Sequence, residues 1–165
     1  MKIFYGVKIK DELIAMIKDI AQLELQNVKG RLTNPDNYHL TLKFVGEVKD
    51  EDIDNYIDLL RISAEKIDTF SIDLDVVDTF EKKKGNVIWI GSSKKSKEFE
   101  KLAKCFDDRQ NALPHLTIMK KSDEIIKKEI VSFEILIDEI TLFESKRVDD
   151  KLCYLPIYSE KLKQL

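Results

Sequence analysis

Between residues 70 and 76, apolar Phe70, Ile72, Leu74 and Val76 are separated by Ser71, Asp73 and Asp75. A period of two marks a strand with one buried face. Residues 3–9 read as another strand, more continuously apolar, with Phe4 and Tyr5 adding β-favouring bulk. The period then lengthens. Leu13, Ile17 and Ile20 fall on one helical face, which predicts a helix from a capping Asp11 to about Leu23. Residues 33–37, Thr-Asn-Pro-Asp-Asn, form a turn cluster that leads into a strand over residues 38–45, closed by Gly46. Asp50 opens a second helix carrying Ile53, Ile57, Leu60, Ala64 and Ile67.

After the alternating strand, a charged turn at 82–86 contains Gly85, and residues 87–91 form a short buried strand around Trp89. A third helix is predicted over 96–106, with Phe99, Leu102, Ala103 and Phe106 inward, followed by a polar connection at 107–113. Pro114 leads into a strand beginning at His115, and a short helix is expected over 122–130. Phe133, Ile135 and Ile137 alternate, but the parity changes at Ile140 and Leu142, which predicts a β-bulge or bend near Asp138. The last strand covers 152–158, where Pro156 suits a sheet edge. Several strands follow one another without a crossover helix. The expected class is therefore α+β with antiparallel sheets, in one domain of two lobes spanning residues 1–165.

Composition narrows the partners. The 165 residues suit one core; 43% are hydrophobic and 36% charged. No apolar run approaches the ~20 residues that cross a membrane, and the N-terminus flows straight into a strand, so a cytoplasmic location is expected. Cys105 and Cys153 lack metal or redox spacing and read as ordinary thiols. A net charge of −3 argues against coating nucleic acid by charge, though not against reading one RNA end. Nothing demands more than a monomer, and no glycine-rich phosphate loop is present.

The chemistry lies in a repeated phrase. His39-Leu40-Thr41-Leu42 and His115-Leu116-Thr117-Ile118 contain the only two histidines of the chain. On a strand, residues i and i+2 share a face. Each segment therefore buries its aliphatic pair and presents an imidazole and a hydroxyl together. Four such groups converging on one cleft suit phosphate chemistry: one imidazole takes a proton, the other gives one, and the hydroxyls hold phosphoryl oxygens. A structural histidine or a metal pair are the competing readings; the duplication disfavours the first, and the lack of a further nearby His or Cys disfavours the second. Symmetry alone leaves open which histidine is the acid. Lys43 alternates onto the face of His39 and Thr41, and Phe80 and Phe143 are candidates to stack on a base. Trp89 faces either core or cleft, and Ser145 and Arg147 fall near the cleft rim.

These motifs resemble those of the two-histidine (2H) phosphoesterase superfamily, and within it the RNA 2′,3′-cyclic phosphodiesterases, also called 2′-5′ RNA ligase-like proteins. The likeness extends over Ile3-Phe4-Tyr5-Gly6-Val7, the run from Asn37 through Val48, Val87-Ile88-Trp89-Ile90-Gly91, Pro114-His115-Leu116-Thr117-Ile118 and Ile140-Thr141-Leu142-Phe143-Glu144-Ser145. It implies two β-rich lobes related by a pseudo-twofold, each with one His-x-Thr strand, outer helices and a central cleft. It also implies metal-independent hydrolysis of 2′,3′-cyclic phosphate RNA ends to 2′-phosphates, without a cofactor. His39 would be the proton donor, His115 the proton acceptor, and Thr41 and Thr117 the phosphate ligands. Lys120 stands where such proteins often carry Arg, and the usual basic lead-in to the second histidine is replaced by Asn111-Ala112-Leu113-Pro114, with Arg109 the nearest Arg. Relatives with the same site act on 2′-5′ oligonucleotides or small cyclic nucleotides, which is the alternative substrate class. A non-catalytic RNA-end-binding module is the alternative of a different kind, and the intact His and Thr of both motifs weigh against it.

Overall fold

The computed structural model describes residues 1–107 and 112–164. Its strands are β1 (Lys2–Lys8), β2 (Arg31–Leu32), β3 (His39–Glu47), β4 (Phe70–Phe80), β5 (Asn86–Gly91), β6 (His115–Ser122), β7 (Lys128–Ile137), β8 (Glu139–Val148) and β9 (Lys151–Lys161). The α-helices are α1 (Asp11–Glu24), α2 (Ile53–Glu65) and α3 (Lys97–Lys104). One sheet runs β3-β1-β8-β9 and the other β2-β6-β5-β4-β7, and neighbouring strands pair antiparallel. This is the expected α+β architecture.

Each sheet has a helix face and a cleft face, set by the strand period. On β1, Ile3, Tyr5 and Val7 join the core, as do Leu40 and Leu42 of β3, and Ile140 and Leu142 of β8. From the second sheet, Leu74, Ile88, Ile90, Leu116, Ile118 and Ile135 enter the same core. The helices close it with Ile17 and Ala21, Leu60 and Ala64, and Phe99, Leu102 and Ala103. Ser96 caps α3 by accepting from the Phe99 N–H at 3.1 Å. The opposite faces of the two sheets approach through β3 and β6, which touch each other.

Four local expectations are corrected. The parity change at Asp138 is a switch of sheet: β7 pairs with β4 in one sheet and β8 with β1 in the other. A one-residue break inverts which face is buried, so the chain hands its apolar side from one core face to the next. The helix expected over 122–130 does not form. There the Thr79 hydroxyl donates to the Ile126 carbonyl at 2.8 Å and accepts from the Ile126 N–H at 2.9 Å, holding the backbone extended toward β7. Gly46 does not close β3; with φ at +97° it sits inside the strand, where the register with β1 slips, in the way of a glycine bulge. Asp11 lies in the first turn of α1, while the cap position is Lys10 and makes no side-chain capping bond. Pro156 does lie on an edge strand, β9. Asn111 and Arg109, discussed above, lie outside the described residues.

Candidate active site

The two His-x-Thr segments open the strands β3 and β6, and each lies beside a strand that carries an aromatic residue and a glycine two positions apart. Beside β3, Gly6 of β1 pairs with Thr41, and Phe4 is its neighbour on the same face. Beside β6, Gly91 of β5 pairs with His115 and Trp89 with Thr117. Phe4 lies 4.8 Å from His39 and Trp89 5.9 Å from His115, ring centre to ring centre. The glycines permit this. A Cβ on Gly6 would stand 2.8 Å from the Leu40 carbonyl oxygen. A Cβ on Gly91 would press on the Pro114 carbonyl oxygen and stand 2.5 Å from the Trp89 ring. The Phe-x-Gly and Trp-x-Gly repeat was present in the sequence as a second duplication, but its meaning depends on strand neighbours far apart in the chain.

Backbone carbonyls fix both imidazoles. His39 Nδ1 lies 2.8 Å from the Asn37 carbonyl oxygen, and His115 Nδ1 lies 2.9 Å from that of Leu113. A carbonyl only accepts, so Nδ1 carries the proton in both rings. In the neutral tautomer Nε2 is then the lone-pair nitrogen. At His39 it accepts from the Thr41 hydroxyl at 2.8 Å. The second half thus repeats the first down to a carbonyl two residues before the histidine.

Aromatic walls dry both rings. Around His39 stand Phe4, Tyr154 edge-on at 5.0 Å and Phe143 at 6.2 Å. Around His115 stand Phe80 edge-on at 5.1 Å, and Trp89. Burial lowers the basicity of His39 to about 4, with the charges of His115 and Lys120 adding to the drop against the opposing Asn37 carbonyl. The His115 ring is also held below its ordinary value, chiefly by burial and further by Lys82. Lys120 is itself lowered by burial and by Arg31 and Lys82. These mutual effects place two imidazoles and three cations in one field, which an anion would relieve.

A cavity of about 700 Å³ opens on this field. His39, Thr41, Thr117 and Lys120 line it, so the structure brings three of the four motif side chains onto one wall, and Lys120 with them. His115 does not line it but is near enough for its charge to act on His39. Ser145 and Arg147 line the cavity as the rim position suggested.

Three other candidates do not line this cavity. Lys43 is on the opposite face from Thr41. The β1–β3 register runs from Gly6↔Thr41 to Tyr5↔Lys43, skipping Leu42, and this bulge inverts the alternation beyond it. Lys43 therefore shares the face of the core residue Tyr5 and pairs with Asp107 at 2.8 Å. Phe44 takes its place toward the cavity, 57% exposed. Phe143 is buried and stacks on Phe4 at 5.0 Å, and Phe80 packs on Trp89 at 4.9 Å; both wall a histidine. Arg31 of the short β2 was not singled out from the sequence, because two residues carry no periodicity; it pairs in register with Lys120.

Among the described residues, no group of three or more His, Cys, Asp or Glu could hold a metal ion, both cysteines are free, and no helix is long and apolar enough to cross a membrane.

Comparison with known proteins adds to this geometry. The model of the family described as LigT like Phosphoesterase matches residues 7–89, which include the first His-x-Thr segment. An RNA 2′,3′-cyclic phosphodiesterase of Archaeoglobus fulgidus is 30% identical over 128 residues, 72% of this chain and 71% of that protein. One of Escherichia coli is 24% identical, covering 94% and 93%. Among solved structures, a Thermus thermophilus protein superposes with a TM-score of 0.84 at 18% identity, covering 99% of each chain. Escherichia coli LigT in complex with 3′-AMP gives 0.79 at 23% identity, covering 99% of this chain and 98% of that one. With its paired His-x-Thr strands, matched model and matched fold, the chain belongs to the LigT-like phosphoesterases of the two-histidine superfamily.

Proposed function

We propose that the protein hydrolyses the 2′,3′-cyclic phosphate at an RNA end, leaving a 2′-phosphate and a free 3′-hydroxyl. The curated relatives named as RNA 2′,3′-cyclic phosphodiesterases support this reading. The observation that carries it is the matched pair of imidazoles, each with Nδ1–H tied to a carbonyl and Nε2 left for proton transfer. His115 Nε2 accepts a proton from water as the water oxygen bonds to phosphorus. The bond from phosphorus to O3′ breaks, and His39 Nε2–H delivers its proton to that oxygen. Thr41 and Thr117 donate to the phosphoryl oxygens as charge gathers there.

The unequal roles have physical support. In-line displacement puts the leaving oxygen, and the nucleoside attached to it, opposite the attacking water. The cavity borders His39 and not His115, so the room for a nucleoside is on the His39 side. His39 is neutral at pH 7 as it stands, because its basicity is held near 4. The phosphate must therefore charge it: an anion beside Nε2 gives the buried ring the counter-charge that burial denies it and offsets the smaller effects of His115 and Lys120, and the ring takes up a proton. Once Nε2 is protonated it no longer accepts from Thr41, and that hydroxyl is free to turn to the phosphate.

The test is a short RNA ending in a 2′,3′-cyclic phosphate, assayed with and without a chelator, with products separated. A 2′-phosphate product, insensitive to chelator, is expected. A 3′-phosphate product, or full activity in His39→Ala or His115→Ala, would overturn the scheme. Faster turnover of 2′-5′-linked oligonucleotides or of 3′,5′-cyclic nucleotides would move the protein to the alternative substrate class.

A further inference from the structure

From His39 the cavity extends along the hairpin of β8 and β9. On β8, Phe143, Ser145 and Arg147 succeed each other at a spacing of two and so share the cleft face. Across from them on β9, Tyr154 pairs with Ser145 and Leu152 with Arg147. Tyr154 touches the His39 ring edge-on at 5.0 Å. The Arg147–Leu152 pair lies two residues further out, ~7 Å at the rise of a strand. That step is comparable to the spacing of successive phosphates along an extended nucleic-acid strand.

The far end is built and basic. Asp149 and Asp150 form the tip, both with positive φ (51° and 64°), the geometry of a tight two-residue hairpin. The Asp150 carbonyl accepts from Arg147 Nη1 at 3.1 Å, which anchors the guanidinium over the cavity. Asn37 Nδ2 donates to the Leu152 carbonyl at 2.8 Å, tying this end to the segment that also fixes His39. Arg31, Lys120, Arg147 and Lys151 line the cavity against one carboxylate, Asp150, in a chain whose net charge is −3. Lys120 and Arg31 belong to the field at the histidines. Arg147 and Lys151 stand at the hairpin end, beyond what a terminal cyclic phosphate needs.

We propose that Arg147, with Lys151, forms a second phosphate subsite that holds the phosphate on the 5′ side of the terminal nucleoside. This rests on the cyclic-phosphodiesterase reading and deepens it: the preferred substrate is the end of a chain, and a lone nucleoside cyclic phosphate fills only the first subsite. With O3′ at His39, the ribose and its 5′ carbon lie in the cavity that His39 borders. The 5′-phosphate then arrives one step along the hairpin, where a guanidinium offers a charge-assisted, two-pronged contact.

The experiment compares kcat/KM for adenosine 2′,3′-cyclic phosphate with that for the same compound bearing a 5′-phosphate. The native protein is expected to favour the 5′-phosphorylated compound roughly tenfold, the size of one charged hydrogen-bonded contact. Arg147→Ala is expected to bring the ratio close to one, and Arg147→Lys to keep part of it as a point charge. The control Lys18→Ala, on α1, is expected to keep the full ratio. Folding of each variant is checked by thermal melting; should Arg147→Ala not fold, Lys151→Ala and the salt dependence of the native ratio carry the test, because an added phosphate contact makes the preference fall with salt. Equal kcat/KM on the two compounds, or a ratio unmoved by Arg147→Ala and Lys151→Ala, overturns the subsite alone. Turnover of neither compound overturns the cyclic-phosphodiesterase reading and the subsite with it.

Discussion

At the scale of single residues, His39 and His115 are two imidazoles with one design and different surroundings. Both have Nδ1 bound to a carbonyl, and both are drier than a surface histidine, but only His39 is pushed down to about 4. The kcat/KM profile reports the groups of the free enzyme. Both groups there lie below the ordinary 6.5, so the alkaline limb of kcat/KM is expected below pH 6.5, while kcat extends to higher pH because bound phosphate raises His39. An alkaline limb of kcat/KM above pH 7 would contradict this. Sulfate mimics the phosphate and does not itself titrate in this range. Its affinity, measured by calorimetry, is expected to rise as pH falls from 8 to 5 with uptake of a proton, and His39→Gln is expected to flatten that rise. Replacing either histidine by alanine is expected to lower kcat by about 10²–10⁴-fold, and Thr117→Val by about 10²-fold with little change in KM.

At the scale of elements, strand pairs position the chemistry. Gly91 lets β5 pass close under Pro114 and lets the Trp89 ring lie beside His115. Gly91→Ala forces that pairing apart. A loss of about 1–3 kcal/mol of stability is expected by urea unfolding, as for an overpacked site, together with a fall in kcat because His115 moves. A variant with unchanged stability and kcat would show that the pairing is slack. The elements also show where alternation is readable. The paired phrases at 39–42 and 115–118 have their expected faces, and so does the pattern at 70–76 as far as Leu74; a bulge at Asp75 then puts Val77 rather than Val76 in the core. Lys43 does not, because the bulge at Leu42 comes from pairing with β1 and leaves no mark in local periodicity. Asp138 is the converse: the parity change was visible, but its meaning, a switch between sheets, depends on β4 and β1 waiting at different places.

At the scale of the whole molecule, two sheets back onto one core and hold their cleft faces together through β3 and β6. Burying His39 in that junction has a consequence for stability. Its folded value of about 4 lies below the unfolded 6.5, so the unfolded chain binds the proton first. This contribution to stability is complete above pH 6.5 and is lost as pH falls toward 4, by about 3 kcal/mol. Unfolding by urea at several pH values checks it: His39→Gln is expected to lose less stability over this window than the native protein, and an equal loss would show that His39 is not the group responsible.

Strand alternation and paired motifs are local properties, so the α+β class, the two His-x-Thr phrases and the face that each presents are legible in the chain before it folds. The chain also carried the Phe-x-Gly and Trp-x-Gly echo in plain view. What those residues meet is settled by the packing of the sheets. It set Gly6 against Thr41 and Gly91 against His115, turned Lys43 away to Asp107, brought Arg31 and Lys120 side by side, and opened the cavity on the His39 side. The reason is physical: burial, basicity and the direction of the cleft depend on which distant strands become neighbours, and pairing between strands is fixed by the whole core rather than by any one segment.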